Sequence, residues 1–233
     1  MMKSELSRRN FLTGVAATTG AAAVTQAAVD GVDPEKPLKI VGVVCSPRKG
    51  QTTATVVQVC LEAAEQFAPE RIRTEVVELA GLSIPGQLAA GEPLRPGEKD
   101  DFPGLVPKLS SPDVAGIVIG TPVYFANMSY LCKAFLDRCI VFRKNGFALA
   151  NKVAGVAAVG GSRNGGQELT IRSVQSALMS QQMIIVGDAP PTAHFGATVC
   201  SGGLKDVRED DFGMDTTRNL GRRVAEMALR LHG

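Results

Sequence analysis

Three short runs of apolar residues in this chain each end in a loop of small and polar residues, and a helical pattern follows each loop. The runs are Leu38–Val44, Val114–Gly120 and Lys152–Val159. They consist mainly of Val, Ile, Ala and Gly, which is typical of strands buried on both faces of a sheet. Strands that alternate with helices predict a parallel, doubly wound α/β sheet with right-handed crossovers.

Weaker patterns complete this alternation in a chain of 233 residues, which is long enough for one α/β domain with its own core. Apolar residues at helical or alternating spacing predict helices over Thr53–Phe67, from Met128 to Ile140, over Glu168–Ser180 and over Thr217–Leu231, with strands at Arg73–Leu79 and Met183–Val186. Asn127 or Ser129 is placed to cap the second helix. The segment Gly81–Pro112 carries six prolines and is long for a connection, which is typical of functional, interfacial or mobile loops.

The loops that follow the three apolar runs are expected to meet. Ligands of doubly wound sheets bind beyond the carboxyl ends of the strands, at the switch in strand order. Residues 46–53, 121–127 and 160–167 all lie at such ends. This convergence, more than any single loop, predicts a ligand site.

The first of these loops, Ser46–Thr53, has the composition of a phosphate cradle. It combines hydroxyl groups with the cation Arg48 and leads into a helix start. Backbone N–H groups there have no intrahelical partner and lie at the positive end of the helix dipole. The alternative is an ordinary βα loop in which Thr52 or Thr53 caps the helix.

The second and third loops favour a flat ring beside that phosphate. Tyr124 offers an aromatic face with a polar tip, and four glycines between Gly160 and Gly166 let the backbone approach a ring edge. Core packing is the alternative for Tyr124 and Phe125, and a solvated loop charge is the alternative for Arg163. A G-x-G-x-x-G dinucleotide fingerprint is absent after the first strand.

With these residues in view, the chain resembles the flavodoxin-like NADPH-dependent FMN reductase and iron–sulfur flavoprotein family. The matching pieces cover roughly residues 38–231; they are Ser46–Gly50 with Thr52–Thr53, Thr121–Phe125 with Lys133–Arg138, Gly160–Glu168 and Asn219–Arg223. The resemblance implies a flavodoxin-like doubly wound sheet of about five parallel strands in the order 2-1-3-4-5, with helices on both faces.

The resemblance also implies an FMN cofactor and its contacts. The implied residues are Ser46, Arg48, Gln51, Thr52 and Thr53 around the phosphate, Pro122, Val123, Tyr124 and Asn127 along the isoalloxazine, and Gly161, Ser162 and Arg163 nearby. In such an enzyme the flavin carries the redox chemistry and the protein orients it. No catalytic side chain is therefore predicted.

Two features depart from the family pattern. Iron–sulfur members carry a compact cysteine cluster after the second strand, whereas this chain reads Ile84–Ala90 there without a cysteine. An iron–sulfur cluster needs thiolate ligands, so we predict none. Gln51 stands where relatives often have Asn or a small residue, which leaves the phosphate contact at this position open.

The two histidines and five cysteines suggest neither a metal site nor a disulfide framework. Neither His194 nor His232 has a second ligand at metal spacing. His194, beyond the last strand, is either an ordinary loop residue or a proton donor to the reduced substrate. Buried apolar positions are predicted for most of the cysteines. Cys132 and Cys139 fall two helical turns apart, about 10 Å, which is too far to form a disulfide with each other.

The amino-terminal segment resembles a twin-arginine export signal. Ser7–Leu12 reads SRRNFL, and the uncharged stretch from Asn10 to Val29 is only weakly apolar; a disordered basic tail is the alternative. We expect a signal peptide over 1–28, a linker over 29–37 and an FMN-binding domain over 38–233 in the periplasm or another extracytoplasmic space. The first 28 residues also account for the formal charge of +2, so no basic groove for nucleic acid is indicated.

Three functions remain open at this point. An FMN-dependent oxidoreductase would take a hydride from NAD(P)H and pass electrons to flavin, quinone or another acceptor. An exported electron-transfer flavoprotein would instead exchange electrons with a protein or quinol partner, and a binding protein with a decayed site would retain no FMN. By analogy with relatives we also expect a homodimer or homotetramer, with Gly81–Pro112 and the helix from Met128 as candidate contacts.

Overall fold

The computed structural model describes residues 36–233, which form one parallel sheet with helices on both faces. The strands are β1 (Leu38–Val44), β2 (Ile72–Glu78), β3 (Val114–Pro122), β4 (Val153–Gly160), β5 (Ile184–Ile185) and β6 (Ala197–Cys200). The expected export signal and most of the expected linker lie outside the described residues.

Six α-helices pack against the sheet in this part of the chain. They are α1 (Thr52–Phe67), α2 (Val106–Ser110), α3 (Tyr130–Arg138), α4 (Ile140–Lys144), α5 (Gln167–Met179) and α6 (Asp211–His232). Short 3-10 turns lie at Gly86–Ala90, Phe102–Leu105 and Val207–Glu209. Within residues 36–233, no helix combines the length and the apolar character needed to cross a membrane.

The strand order is β2-β1-β3-β4-β5, and β6 also pairs with β4. Every one of these pairings is parallel. The order confirms the doubly wound, flavodoxin-like sheet that the resemblance implies. It also places the carboxyl ends of β1, β3 and β4 side by side at one edge of the sheet, which we call the carboxyl edge.

Strands β5 and β6 are two pieces of one edge strand. Val153 at the start of β4 pairs with Ile184, and the second half of β4, from Ala157 to Gly160, pairs with β6. Residues 186–196 leave the sheet between the two pieces. The sequence does not predict β6, because four residues are too few for an alternating pattern to distinguish a strand from a loop.

The sheet separates two apolar cores, one on each face. Successive side chains of β1 point alternately into one core and the other. Val41 and Val43 belong to the core formed with α3, α4 and α5. Ile40 and Val44 belong to the core formed with α1 and α6. Because successive side chains of a strand point to opposite faces, a run that is apolar at every position is suited to burial between two layers of helices.

The helix predicted from Met128 begins two residues later and is divided in two. Ser129 caps α3, since its hydroxyl accepts the N–H of Cys132 at 3.0 Å. Asn127, the other candidate cap, accepts the N–H of the next residue through its side-chain oxygen. At Cys139 the backbone N–H is shared between two carbonyls of the preceding turn. Such sharing is common where a helix tightens and ends, and it separates α3 from α4.

The proline-rich segment 81–112 is anchored to α3 by an ion pair. Arg138, which is 5% exposed, donates to both carboxylate oxygens of Asp100 at 2.8 Å. Its guanidinium also lies 4.8 Å from the ring centroid of Phe102, a fully buried residue. The hydrogen bond from Arg138 holds the pKa of the Asp100 carboxyl below its usual value. Charge pairing and packing therefore fix this long connection in place.

Candidate functional site

The first and second loops at the carboxyl edge are joined by hydrogen bonds between buried groups. The Ser129 hydroxyl donates to the carbonyl oxygen of Cys45 at 2.6 Å. The N–H of Ser129 donates to the hydroxyl oxygen of Thr121 at 3.1 Å, and the N–H of Cys45 donates to the carbonyl of Gly120 at 2.8 Å. The end of β1, the end of β3 and the start of α3 are therefore held as one unit.

The second and third loops touch at Gly166. A Cβ atom placed on Gly166 would lie 2.7 Å from Cα of Ala126, and its φ is +100°. Only glycine fits such a close approach at a positive φ without displacing the neighbouring loop. Val123 also donates its N–H to the carbonyl of Val159 at 2.9 Å. All three loops therefore meet at the carboxyl edge, as the sequence predicts.

The first loop is shaped by Ser46 and tied to β2. The Ser46 hydroxyl, almost fully buried, accepts the N–H of Arg48 at 3.1 Å and donates to its carbonyl at 3.2 Å. The N–H of Gly50 donates to the carboxylate of Glu78 at 2.6 Å. Ser46 therefore acts here on the backbone of the loop, and Glu78 is a supporting residue that the sequence did not single out.

The start of α1 leaves donors available for an anion. Gln51 is the N-cap residue and makes no side-chain capping bond, so the interpretation of Thr52 or Thr53 as the cap is wrong. Thr53 is buried and Thr52 is half-buried, while Arg48 is exposed. Within residues 36–233, the Arg48 guanidinium has no ion-pair or hydrogen-bond partner. Uncapped helix amides beside a hydroxyl and an unpaired cation fit a phosphate group.

The second loop presents aromatic residues to solvent. Tyr124 and Asn127 exchange backbone hydrogen bonds of 2.8 and 3.0 Å around a two-residue turn. The turn residues Phe125 and Ala126 both have positive φ, at 50° and 59°. Tyr124 is 42% exposed and Phe125 is fully exposed, so the core-packing alternative is wrong for both. Left-handed conformations of non-glycine residues cost about 1–3 kcal/mol each and concentrate at functional sites.

Two other predicted residues of this loop lie deeper. Pro122 is buried as the last residue of β3, and Val123 is half-buried beside the first core. Pro122 and Val123 therefore lie between the loop and the core, while Tyr124 and Asn127 form the exposed surface of the loop. A flat ring at this edge would therefore meet a firm backbone with aromatic side chains around it.

The third loop turns its cation away from the other two loops. Gly161 and Ser162 are exposed, and Gln167 donates to the carbonyl of Ser162 at 2.7 Å. Arg163 donates to the Asp210 carboxylate and, at 3.1 Å, to the carbonyl of Thr198. Arg163 is therefore more than the solvated loop charge of the alternative interpretation. Its guanidinium is bonded to a carbonyl of β6 and to the carboxylate that caps α6.

Asp210 is a residue that sequence reasoning missed. It caps α6 by accepting the N–H of Gly213 at 3.1 Å, and it also accepts the N–H of Cys200 at 2.7 Å. An acidic residue just before an apolar helical pattern is a recognisable N-cap signal. Its pairing with Arg163, 47 positions earlier, carries no such local signal.

The family of the chain follows from comparison with known proteins. Residues 38–197 match the model of a family described as NADPH-dependent FMN reductase. The chain belongs to this family. It is an FMN-dependent oxidoreductase, and the donors at the start of α1 fit the FMN phosphate.

Individual known proteins resemble the chain over most of its length. An iron–sulfur flavoprotein of Methanocaldococcus jannaschii is 39% identical over 193 residues, which are 82% of this chain and 97% of that protein. A protein of Geobacter sulfurreducens named NAD(P)H dehydrogenase (quinone) is 29% identical over 184 residues, 74% of this chain and 85% of its own. A WrbA-like flavodoxin structure from Agrobacterium tumefaciens superposes with a TM-score of 0.59 at 19% identity, over 84% of this chain and 99% of that one, and supports the fold alone.

The cysteines of this FMN reductase family member do not fit an iron–sulfur cluster. Four of them are buried, which raises the pKa of the Cys45 and Cys139 thiols and raises that of Cys60 to about 12. All five cysteines are free. Among the residues that the structure describes, no three His, Cys, Asp or Glu side chains are grouped to hold a metal ion.

Proposed function

We propose that this protein oxidises NAD(P)H and passes the electrons, through bound FMN, to flavin, a quinone or a similar acceptor. Family membership supports the donor and the cofactor. The relative from Geobacter sulfurreducens, with quinone in its name, supports a quinone as acceptor. When bound, FMN supplies the two-electron chemistry that no side chain of this site offers.

The observation that most supports this function is the meeting of three loops at the carboxyl edge. Arg48, Gln51, Thr52 and the first amides of α1 would hold the phosphate. The loop of Tyr124 and Asn127 and the loop from Gly161 would lie along the ring. Because hydrogen bonds between buried groups join the loops, their relative positions are set before any ligand binds, which favours affinity.

A second function follows from the expected export. We propose that the segment around Ser7–Leu12 directs the protein out of the cytoplasm by the twin-arginine route. Since NAD(P)H is scarce outside the cytoplasm, an exported protein of this kind would instead carry electrons between FMN and a redox protein or quinol. The fully exposed ring of Phe125, beside the proposed flavin site, is suited to contact with a protein partner.

We also propose a homodimer or homotetramer. The segment 81–112, fixed to α3 by the Arg138–Asp100 pair, gives a firm surface for such a contact. Sedimentation of the purified protein tests this proposal, and a monomer at micromolar concentration would contradict it.

The experiment for the function is an anaerobic titration of the FMN-loaded full chain with NADPH, followed by the visible absorbance of oxidised flavin. Bleaching at about one NADPH per flavin is expected for the reductase, because each donor delivers two electrons. Bleaching by dithionite but by neither NADPH nor NADH would support the electron carrier. Failure to retain FMN at all would contradict both functions.

A matched pair of variants tests the phosphate site. Arg48→Ala is expected to weaken FMN binding about tenfold or more, the usual effect of losing a charge-assisted hydrogen bond. Lys144→Ala removes an exposed cation of α4 and serves as the control. Equal FMN affinities of the two variants would show that Arg48 does not hold the phosphate.

A further inference from the structure

A second recess lies beside the proposed flavin site, beyond the third loop. It measures about 500 Å³ and is lined by the first turn of α5, the third loop, His194, Thr198 and Phe212. Gly166 lines it too, and Gly166 touches Ala126 of the second loop. The recess therefore adjoins the proposed ring site on the side away from the phosphate loop. We call it the His194 recess.

His194 is held at this recess by a buried network of polar groups. Its Nδ1 lies 3.4 Å from the carboxylate of Asp188, whose side chain is fully buried. The same carboxylate accepts hydrogen bonds from the Thr192 hydroxyl and from the N–H of His194. Asn219 of α6 in turn donates to the Thr192 hydroxyl at 2.8 Å. Burying a carboxylate is unfavourable unless it is well bonded, and these bonds hold Asp188 beside His194 so that Nδ1 of the ring is turned towards the carboxylate.

The orientation leaves the other ring nitrogen available. With Nδ1 towards Asp188, Nε2 lies on the opposite side of the imidazole. Nε2 can donate to a carbonyl oxygen when the ring is protonated and accept from a hydroxyl when it is neutral. A quinone and its hydroquinone carry these two groups at the same position.

The remaining walls suit a planar apolar ring with oxygens at its edge. Phe212, 48% exposed, stands at 85° to the His194 ring, with 5.5 Å between centroids. Leu169 adds an exposed apolar side chain. Arg163, 5.5 Å from the Phe212 ring centroid, brings N–H donors. Glu168 is the one carboxylate among the lining residues.

We propose that the His194 recess binds the ring of a quinone acceptor, with an apolar face against Phe212 and one oxygen hydrogen-bonded to Nε2 of His194. This rests on the proposed function, since it names the place of the acceptor beside the flavin. Asp188 is a positioning residue in this arrangement, because it acts through His194 and does not face the ligand.

The test measures binding of duroquinone. This benzoquinone is fully substituted, so thiols have no open ring position to which they can add. Saturation-transfer difference NMR of its methyl signal is recorded with the oxidised, FMN-loaded full chain and with the FMN-free chain, without any reductant. We expect binding to both forms. His194→Leu and Phe212→Ser are each expected to weaken the affinity about tenfold, which corresponds to about 1.4 kcal/mol.

Two further variants separate a binding role from a structural one. His194→Gln places an amide nitrogen close to the position of Nε2 and is expected to restore affinity to within about threefold. His232→Leu, the matched control, changes the histidine at the end of α6, whose ring lies 3.1 Å from the carbonyl of Asn151. This control should bind duroquinone as the unchanged protein does.

Absence of duroquinone binding, or binding that neither His194→Leu nor Phe212→Ser weakens, would overturn the proposal. Binding seen only with FMN present and independent of His194 would place the quinone on the flavin and would overturn it too. The proposed function is tested separately, because NADPH should still bleach the flavin of His194→Leu. If NADPH bleaches the flavin but duroquinone does not bind at the His194 recess, only the recess proposal is contradicted. If duroquinone binds at the recess but NADPH does not bleach the flavin, only the proposed NAD(P)H reaction is contradicted.

Discussion

The hydroxyl of Ser129 donates to the carbonyl oxygen of Cys45, 84 positions earlier, while it accepts the N–H of Cys132. Ser129 is fully buried. One small side chain thus caps α3 and joins it to the end of β1. Together with the bonds from the Ser129 N–H to Thr121 and from the Cys45 N–H to Gly120, this hydroxyl sets the spacing of the loops on either side of the proposed flavin.

Replacing Ser129 with Ala should lower both stability and FMN affinity. Two buried backbone groups lose their partner, which predicts a loss of about 1–3 kcal/mol in the free energy of unfolding. Urea titration measures the loss, and fluorescence titration of FMN measures the affinity. Ser176→Ala, which removes an exposed hydroxyl from α5, is the control. A Ser129→Ala protein as stable as this control would contradict the role.

Gly166→Ala should disturb the contact between the second and third loops. The added Cβ would approach Ala126 to 2.7 Å and would stand at a φ of +100°, so FMN affinity should fall together with stability. Gly203→Ala carries the same kind of backbone strain at a φ of +79° but has open space around its Cβ. That control should lose only about 1–2 kcal/mol of stability and keep its FMN affinity. Equal FMN affinities of the two variants would contradict the loop contact.

The Arg138–Asp100 pair should make stability depend on pH in the acid range. Because the pKa of Asp100 is lowered in the folded state, its contribution is complete above the unfolded pKa of about 4 and is lost as pH falls through the folded value. Asp100→Asn should flatten this part of the pH profile and reduce stability at pH 7 by about 3 kcal/mol, since Arg138 loses its charged partner.

Asp206→Asn is the matched control for Asp100. The pKa of Asp206 is also lowered, first by a hydrogen bond from the backbone of Arg208, but the Asp206–Arg208 pair is exposed. Exposed pairs contribute little, so stability should change only slightly. Urea midpoints between pH 3 and pH 7 compare the two variants, and identical profiles would contradict a special role for Asp100.

Lys152 should also make the free energy of unfolding rise with pH, but in the alkaline range. Burial lowers the pKa of Lys152 to about 8, below the value of about 10.4 for an unfolded lysine. Between these values the unfolded chain binds more protons, so the free energy of unfolding rises with pH, by up to about 3 kcal/mol. Lys152→Met should lack this rise, whereas Lys108→Met, which removes a half-exposed amine, should keep it. Parallel profiles for the two variants would contradict the lowered pKa.

The central sheet and the meeting of its loops could be predicted from the sequence because both depend on local patterns. An apolar run such as Leu38–Val44 has few alternatives to a buried strand. Once the strands alternate with helices, the connection rules place their carboxyl ends at one edge. The loops could therefore be placed together before any contact between them was known.

The contacts that complete the site could not be predicted, because they join residues far apart in the chain. Nothing near Arg163 indicates Asp210 as its partner, and nothing near Ser129 indicates the carbonyl of Cys45. The sequence placed His194 beyond the last strand and left its role open, whereas in the structure β6 follows His194. Its orientation depends on Asp188 and on Asn219 of α6, which only the folded chain brings together.

The division of the last strand into β5 and β6 also affects how molecules of this protein meet one another. Long, flat edge strands invite pairing with the edges of other sheets, and from there aggregation. Here one edge is two short pieces interrupted by residues 186–196. The other edge, β2, carries charges such as Arg73 and Glu75. Within residues 36–233 neither edge offers a long uncharged template, so the interruption that carries His194 should also disfavour pairing of folded molecules sheet to sheet.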